Sequence, residues 1–374
     1  MVNSIKNEML KNYDDCQYGF RTGSSTQCAV IALTDHLTEY LDRPSTCGAV
    51  IVSYDYSKAF DRLRTDLIVQ RLIDCEFPPQ CVKWILDYLT ARTQYVKVGI
   101  TRSSATNVTS GVPQGSVIGP YLYALTTATF RTSHSDCRVV KYADDTTICF
   151  PVYPSSSPHI RNEHLNLLRW SSSMDLKMNA RKCKAVVIAK KDKDCCVTRE
   201  LPEVPVVDSM DILGVRFNSK ATWSNHIDKI ITIASRRMFA MRILKPCLSR
   251  NQLRDVYFSY IRSVVEYCAP LLTSLSVIDN CRLERLQRRF YRLLCGKDCA
   301  NNCFASLEER RWKLSIKFLQ SVMQANHVLN SLLPPISSTG RFLLPSRRTF
   351  GRGRSFFFLV PERYNFLSRR KDVL

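Results

Sequence analysis

Apolar residues recur along this chain with the periods of both strands and helices. Residues 48–55 read GAVIVSYD, a β-branched run that predicts a buried strand with Asp55 at its C-terminal end. Residues 65–72 then have the apolar spacing of a helix. Residues 139–150 contain two short β-type runs around a polar turn. This pattern predicts a hairpin with Asp144 and Asp145 at its tip.

The pattern elsewhere predicts supporting helices and one loop. Residues 82–89 have helical spacing and read as scaffold. Residues 190–205 are charged, bounded by proline and without a period, so we expect a mobile surface loop there and a domain boundary near residue 215. Beyond the boundary helices dominate. Ser224 is a candidate N-cap of one helix, and Asn251 is a candidate N-cap of another whose apolar face includes Tyr260.

Length and composition narrow the class of protein. The chain has 374 residues, enough for one large domain or about two to three small ones. Hydrophobic residues make up 45%, which argues against disordered and collagen-like classes. Its longest apolar runs, at 48–52 and 356–360, are too short to span a bilayer, so no membrane partner is expected. Sixteen cysteines behind an N-terminus without an apolar signal predict reduced thiols and a protein of the nucleus or cytoplasm that is not secreted.

Positive charge is concentrated in the second half. Residues 1–215 carry 25 basic and 23 acidic side chains, whereas residues 216–374 carry 29 and 10, so that half holds +19 of the net +21. An imbalance of this kind favours a polyanionic partner. A predicted helix at 281–295 turns leucines and Phe290 toward a core and arginines outward. These arginines, read as a nucleic-acid-binding face rather than a solvated one, are Arg282, Arg285, Arg288, Arg289 and Arg292.

The acids carry the candidate chemistry. Two carboxylates about 5 Å apart repel by about 3 kcal/mol at an effective dielectric near 20, so gathering Asp55, Asp144 and Asp145 requires cations. Hard oxygen ligands completed by substrate phosphates suit Mg²⁺, and two such ions can activate a hydroxyl and neutralise a leaving oxygen. The predicted reaction is phosphoryl transfer. The sequence contains no HExxH, GxxxxGK[ST], GxSxG or GxGxxG signature of the competing enzyme classes.

Several segments resemble a known family. SYDYSKAFDRL, SGVPQGSVIGPYLYAL and KYADDTTI, in this order, resemble the three palm motifs of reverse transcriptases. QYGFRTGSST at 17–26 is similar to the preceding fingers motif of non-LTR retrotransposon enzymes, and LKMNARKCKAVVI and ILGVRFNSKATWSNHI are similar to the two later ones. The lineage resembles the jockey-like RNA-directed DNA polymerases. The resemblance runs from about residue 4 to about residue 330.

The resemblance implies an α+β fold, a right-hand polymerase with partial fingers, an antiparallel-sheet palm and a helical thumb. It divides the chain into fingers and palm at 1–215, a thumb-like helical region at 216–335 and a basic C-terminal tail at 336–374. The implied substrates are an RNA template, a DNA primer and deoxynucleoside triphosphates. Because the chain begins within the fingers, we expect an N-terminally truncated copy whose endonuclease is supplied by another chain or lost.

The resemblance also assigns roles to single residues. Asp55, Asp144 and Asp145 match the metal-binding aspartates, and the Tyr56 carbonyl is an additional ligand for two Mg²⁺, or Mn²⁺, ions. Lys182 matches a lysine that protonates the departing pyrophosphate, although a solvated charged face competes with that role.

Three further residues match nucleotide contacts. Arg21 matches a contact to the triphosphate, which suits a guanidinium. Phe60 matches an aromatic under the nucleotide sugar, where it would exclude a 2′-hydroxyl, or else it fills the core. Gln114 is either a contact to the nucleotide and template base or a turn residue.

Alternatives to a polymerase stay open. A catalytically silent remnant that only binds nucleic acid would keep the basic half, and a structural helical adaptor would fit that half but not the palm motifs. Cys295, Cys299 and Cys303 recur every four residues, but no histidine follows at zinc-knuckle spacing, so structural thiols are favoured over a metal site. Residues 341–374 mix nine basic and two acidic residues with aromatics, which suits either RNA contact or a docked tail.

Overall fold

The computed structural model describes residues 2–154, 157–190, 200–295, 305–344 and 354–368. The chain divides into two compact units that are both discontinuous in sequence. The first comprises Met1–Ala29, Ala49–Val187 and Lys193–Val206; the second comprises Val30–Gly48, Ile188–Asp192 and Val207–Leu374. The mixed helix and sheet content agrees with the predicted α+β class. The assignment of fingers, palm and thumb to particular residues stays a prediction.

A four-stranded sheet, two small two-stranded sheets and the surrounding helices form the first unit. Its helices, with α2 continuing into the second unit, are α1 (Val2–Lys11), α2 (Thr26–Asp42), α3 (Ala59–Arg62), α4 (Thr65–Asp74), α5 (Pro79–Leu89), α6 (Gly119–Thr126) and α7 (Pro158–Ser173). Its strands are β1 (Gly48–Tyr54), β2 (Arg92–Gln94), β3 (Lys97–Val98), β4 (Thr101–Arg102), β5 (Thr106–Val108), β6 (Arg138–Tyr142), β7 (Asp145–Val152) and β8 (Lys184–Ala189).

The four-stranded sheet has the order β6-β7-β1-β8. β1 is central and almost completely buried, which explains its unbroken run of apolar, largely β-branched residues. β6 and β7 pair antiparallel with Tyr142 opposite Asp145, so the predicted hairpin is confirmed. Ala143 and Asp144 form the two-residue turn, and Ala143 takes a left-handed conformation at φ 58°, as such tight hairpins require.

The second unit is mainly helical. Its strands and helices are β9 (Ser209–Ile212), β10 (Val215–Asn218), α8 (Ser224–Leu244), α9 (Arg250–Val256), α10 (Ser263–Val265), α11 (Val277–Cys295), α12 (Leu307–Val322) and α13 (Phe356–Ser368). One core joins α8, α9, α11 and the start of α12 around Tyr257 and Phe290, whose rings stack with centroids 3.6 Å apart. No helix among the described residues is long and apolar enough to cross a membrane.

Both predicted helix caps are wrong. Ser224 is the first helical residue of α8, not its cap, and its hydroxyl donates to Asp279 Oδ2 at 3.0 Å. The cap of α9 is Ser249, which forms a reciprocal capping box with Gln252, so Asn251 already lies inside the helix. The prediction for Tyr260 is also wrong, because Tyr257–Arg262 winds as a π-helix and shifts the helical phase, leaving Tyr260 about half exposed.

The predicted loop at 190–205 is wrong for its second part. Residues 191–199 lie outside the described residues. Leu201 and Val204, however, are buried, and the Ala185 N–H of β8 donates to the Pro205 carbonyl at 3.0 Å. These apolar side chains gain more from packing beside the sheet than a solvated loop could offer.

Cysteine chemistry agrees with the sequence where it is described. The cysteines whose side chains the structure describes are thiols, not disulfides. The side chains of Cys295, Cys299 and Cys303 lie outside the described residues, so their role as structural thiols stays a prediction. In the tail, Phe356, Phe357 and Phe358 are buried in α13, and Phe356 packs edge-on against Phe318 at 5.4 Å. For these three aromatics a docked helix replaces RNA contact.

A buried histidine links the β9–β10 hairpin to α8. His226 is 2% exposed, and its Nδ1 accepts a hydrogen bond from the Arg216 N–H at 3.3 Å. Its Nε2 is buried without a hydrogen-bond partner. Burial, assisted by the positive charge of Lys229, lowers the pKa of His226 to about 4. The folded protein therefore keeps this imidazole neutral in mild acid.

This histidine should make folding sensitive to acid. As the pH falls, the unfolded chain protonates His226 near pH 6.5 while the folded chain resists until about pH 4, so stability is lost across that interval. At pH 5 the loss from this residue should be about 2 kcal/mol relative to pH 7.5. Urea unfolding of wild type and His226→Gln at both pH values measures it. Equal pH dependence of the two proteins would contradict the expectation, since the other histidines are common to both.

Candidate active site

The site is built where β1 ends. Asp55 follows the last residue of the strand, and its main-chain carbonyl accepts a hydrogen bond from the Asn179 N–H at 2.8 Å. Ser57 N–H donates to the Lys177 carbonyl at 2.8 Å, so Tyr56 and Met178 form an isolated antiparallel bridge. The two bonds of this bridge run through the flanking residues and do not use the Tyr56 carbonyl. That oxygen is therefore not consumed by the bridge.

The same bridge delivers Lys182. The chain turns after Asn179, whose carbonyl accepts from the Lys182 N–H at 2.9 Å, and the Lys182 ammonium reaches Asp55 Oδ2 at 3.3 Å. Lys182 is 65% exposed, and therefore the pair is a solvated contact of small net stability. The other oxygen of Asp55, Oδ1, is buried without a hydrogen-bond partner. A buried carboxylate oxygen in this state is a site for a cation or a donor.

The hairpin supplies the other two acids. Partial burial and the negative charge of Asp55 raise the pKa of Asp144. Burial of the carboxyl group, with the charges of Asp144 and Asp55, likewise raises the pKa of Asp145, although that residue keeps exposed surface. Lys182 acts on both in the opposite direction. The three predicted acids thus share one electrostatic environment with one lysine.

The atom types at this site suit a hard divalent ion, but the side chains are not placed around a single ion position. Asp55, Asp144, Asp145 and the Tyr56 carbonyl are all oxygen donors, and the buried Asp55 Oδ1 has unused capacity. Within the described part of the chain, however, no group of three or more His, Cys, Asp and Glu side chains is placed as a set that could hold a metal ion. These residues are suitable donors for the ion, but in this structure they do not form a complete coordination sphere.

The loop of the second palm-like motif docks onto α3. The N–H groups of Gly111 and Val112 donate to the carbonyls of Leu63 at 2.8 Å and Phe60 at 2.9 Å. A Cβ on Gly111 would lie 2.6 Å from the Asp61 backbone, so only glycine allows this approach. Gln114 is exposed, and its amide donates to Asp61 Oδ1 at 2.8 Å. The interaction fixes Gln114 on the loop beside α3.

Phe60 is a packing residue in this structure. Its ring stacks on Tyr123 with centroids 4.4 Å apart and meets Phe20 edge-on at 6.3 Å. The ring keeps partial exposure, so packing is compatible with a contact to a nucleotide sugar.

Arg21 is partly buried and lies 3.9 Å from the fully exposed Asp15, at the limit of an ion pair.

The arginines of α11 differ from one another. Arg285, Arg288, Arg289 and Arg292 are exposed. Arg282 instead pairs with Asp228 of α8 and with Asp279 at 3.1 Å. Arg282 therefore contributes to helix packing, whereas the other four present their charge to solvent.

Sequence reasoning missed Gln17 and the ion pair of Asp14 with Lys141. Both contact the β6–β7 hairpin from residues 14–17: the Gln17 side chain bonds to the backbone of Ala143, and Asp14 pairs with Lys141 of β6. Gln17 lies inside a motif that the sequence does present, but local pattern gives no sign of a partner 126 residues away.

A cavity of about 500 Å³ lies in the second unit and is not the predicted site. It is lined by residues of α2 and of the segments around Trp223 and Ser276. Polar groups along it bond to one another, with Trp223 Nε1 donating to Ser274 at 3.2 Å and Ser276 to Asp279 at 2.9 Å.

Known proteins identify the family. Residues 1–217 match the family described as reverse transcriptase (RNA-dependent DNA polymerase). This is more than half of the chain, and the chain belongs to that family. Enzymes of the family generally use divalent metal ions.

Curated relatives confirm the resemblance to non-LTR retrotransposon reverse transcriptases. The chain is 26% identical over 300 residues to the probable RNA-directed DNA polymerase from transposon BS of Drosophila melanogaster, covering 76% of this chain and 33% of that protein. It is 27% identical over 235 residues to the RNA-directed DNA polymerase from mobile element jockey of the same organism, covering 60% and 25%. The chain thus spans about a third or less of the length of these relatives.

Among solved structures, telomerases are similar. Apo telomerase from Candida tropicalis matches with a TM-score of 0.44 at 11% identity, over 87% of this chain and 59% of that one. Telomerase from Candida albicans, in complex with a TWJ fragment of telomeric RNA, matches with a TM-score of 0.43 at 12% identity, over 89% and 56%.

Proposed function

We propose that this chain is an RNA-directed DNA polymerase that adds deoxynucleotides to a primer 3′-hydroxyl on an RNA template. The observation that carries the proposal is the shared electrostatic environment of Asp55, Asp144 and Asp145 beside Lys182, within the residues that match the family. The sequence pattern indicates the same three acids, and the family resemblance assigns them to metal binding.

Asp55, Asp144, Asp145 and the Tyr56 carbonyl would hold two Mg²⁺ ions, with Mn²⁺ as a substitute. Bound there, divalent ions would lower the pKa of the primer hydroxyl and neutralise charge on the leaving phosphate. The protein's part is to keep these oxygens together despite their repulsion. Lys182, already within 3.3 Å of Asp55, would donate a proton to the departing pyrophosphate.

Other residues would bind substrates. The Arg21 guanidinium would contact the triphosphate, and Gln114, held by Asp61, would contact the nucleotide and the template base. The exposed arginines of α11 would contact template and primer phosphates.

Replacing one hairpin acid tests the polymerase directly. Wild type should extend an oligo(dT) primer on poly(rA) with dTTP and Mg²⁺, and Asp144→Asn should lose on the order of 100-fold or more in rate, because the amide removes a charged oxygen donor. Asp74→Asn, at an exposed position of α4, is the matched control.

The outcomes separate the alternatives. A wild-type protein that binds the primed template but never extends it supports the catalytically silent remnant. Equal extension by wild type and Asp144→Asn would place the chemistry elsewhere.

Phe60 should discriminate between sugars. Its ring keeps partial exposure while it stacks on Tyr123, so Phe60→Ala should admit ribonucleotides and lower the preference for deoxynucleotides by about 10-fold or more. Single-nucleotide incorporation of dTTP and UTP measures the preference as a ratio of kcat/KM. An unchanged ratio in a folded variant would show that Phe60 only packs.

Template affinity should depend on the exposed face of α11. Changing Arg285, Arg288 and Arg292 together to Gln should weaken binding to primed RNA by a similar factor for all sequences. The slope of log Kd against log salt should fall by up to about 2 to 3. A second triple variant, in which the exposed lysines Lys83, Lys313 and Lys317 of other helices are changed to Gln, controls for net charge. If both triple variants give the same slope, α11 has no special contact with phosphates.

A further inference from the structure

The Gln17 side chain clasps the turn of the β6–β7 hairpin. Gln17 is 1% exposed, and its Oε1 accepts from the N–H groups of Gly19 at 2.9 Å and Ala143 at 3.0 Å. Its Nε2 donates to the Ala143 carbonyl at 3.3 Å. One amide thus satisfies both backbone groups of the residue immediately before Asp144, as a neighbouring strand would.

Backbone bonds hold the same segment beside β6. The Lys141 N–H donates to the Cys16 carbonyl at 2.8 Å, and the Tyr18 N–H donates to the Lys141 carbonyl at 2.8 Å, which forms a parallel bridge between Gln17 and Lys141. The approach is close at Gly19, where a Cβ would lie 2.4 Å from the Ala143 nitrogen. The segment 16–19 therefore touches the hairpin from its edge to its turn.

A buried ion pair fixes where this segment sits. The Lys141 ammonium lies 2.5 Å from Asp14 Oδ2, with both side chains almost fully buried, and it also donates to the Thr127 carbonyl at 3.1 Å. Buried charges tolerate few geometries, because any shift leaves a charge without its partner. The pair thus sets the position of the segment along β6, and Gln17 reaches the turn as a result.

We propose that Gln17 is a positioning residue for Asp144 and Asp145, acting through Ala143. The turn holds Ala143 in a left-handed conformation, which an alanine leaves readily unless its backbone groups are bonded. Without the clasp, Asp144 would sample positions away from Asp55. This inference rests on the proposed function for its catalytic consequence, but not for the clasp itself.

Amide hydrogen exchange tests the clasp without any activity. Gln17→Met keeps size and burial but removes the hydrogen bonds, so exchange of the peptide covering residues 142–147 should accelerate on the order of 10-fold. Gln287→Met is the control, because Gln287 is likewise buried, at 3% exposed, and hydrogen-bonded on both sides of its amide, to the Tyr257 hydroxyl and the Ala305 carbonyl. Gly19→Ala places a methyl group against the Ala143 nitrogen, so it should also accelerate exchange of this peptide. It is the alternative variant if Gln17→Met does not fold.

Kinetics test the positioning role. In Gln17→Met, kcat should fall 10- to 100-fold, since a small displacement of a reacting group has that effect, while KM for the nucleotide and Kd for the primed template stay within about 3-fold. The Mg²⁺ concentration at half-maximal rate should rise. Accelerated exchange with an unchanged kcat, or unchanged exchange, overturns the inference. An inactive wild type would overturn the proposed function instead, and exchange would still decide the clasp.

Discussion

Carboxylates that are brought together repel one another, and the first unit is arranged to hold three of them in spite of it. Asp55 is carried by a buried central strand, which cannot move without disturbing the sheet. Asp144 and Asp145 lie on a hairpin whose turn is hydrogen-bonded by the Gln17 side chain. Lys182 offsets part of the negative charge but stays exposed, so it can leave when a stronger cation or a phosphate competes.

Support for the hairpin comes mainly from groups that carry no chemistry of their own. Asp14 and Lys141 are buried at a cost in desolvation that a hydrophobic pair would avoid. Such a pair is better explained by the specific position it imposes than by the stability it adds. Lys141 also lies 5.5 Å from the Phe130 ring centroid and 5.8 Å from that of Trp170, so its charge is enclosed by aromatic faces on the remaining side.

The sequence predicted those parts of the site that depend on neighbours along the chain. The strand ending at Asp55 and the hairpin at Asp144 follow from local periodicity, and the structure confirms both. Gln17 could not be predicted in this way, because its role depends on a contact across 126 positions. The wrong caps at Ser224 and Asn251 have a related cause: each residue type suits a cap, but packing and the neighbouring Ser249 decide where the helix begins. Arg282 illustrates the same limit for charge, since only the fold reveals its acidic partners.

The helix α2 has a consequence for how the protein is made. It begins in the first unit and continues into the second, and the chain returns to the first unit at Ala49. Val30–Gly48 therefore leaves the ribosome long before Val207–Leu374, the main part of the unit to which it belongs. During synthesis this early segment, whose Leu37 and Leu41 line the same cavity as Phe217 and Trp223, must wait for partners not yet translated. A cut near residue 207 would likewise separate Leu37 and Leu41 from Phe217 and Trp223, so the apolar side chains on both sides of that cavity would lose their partners.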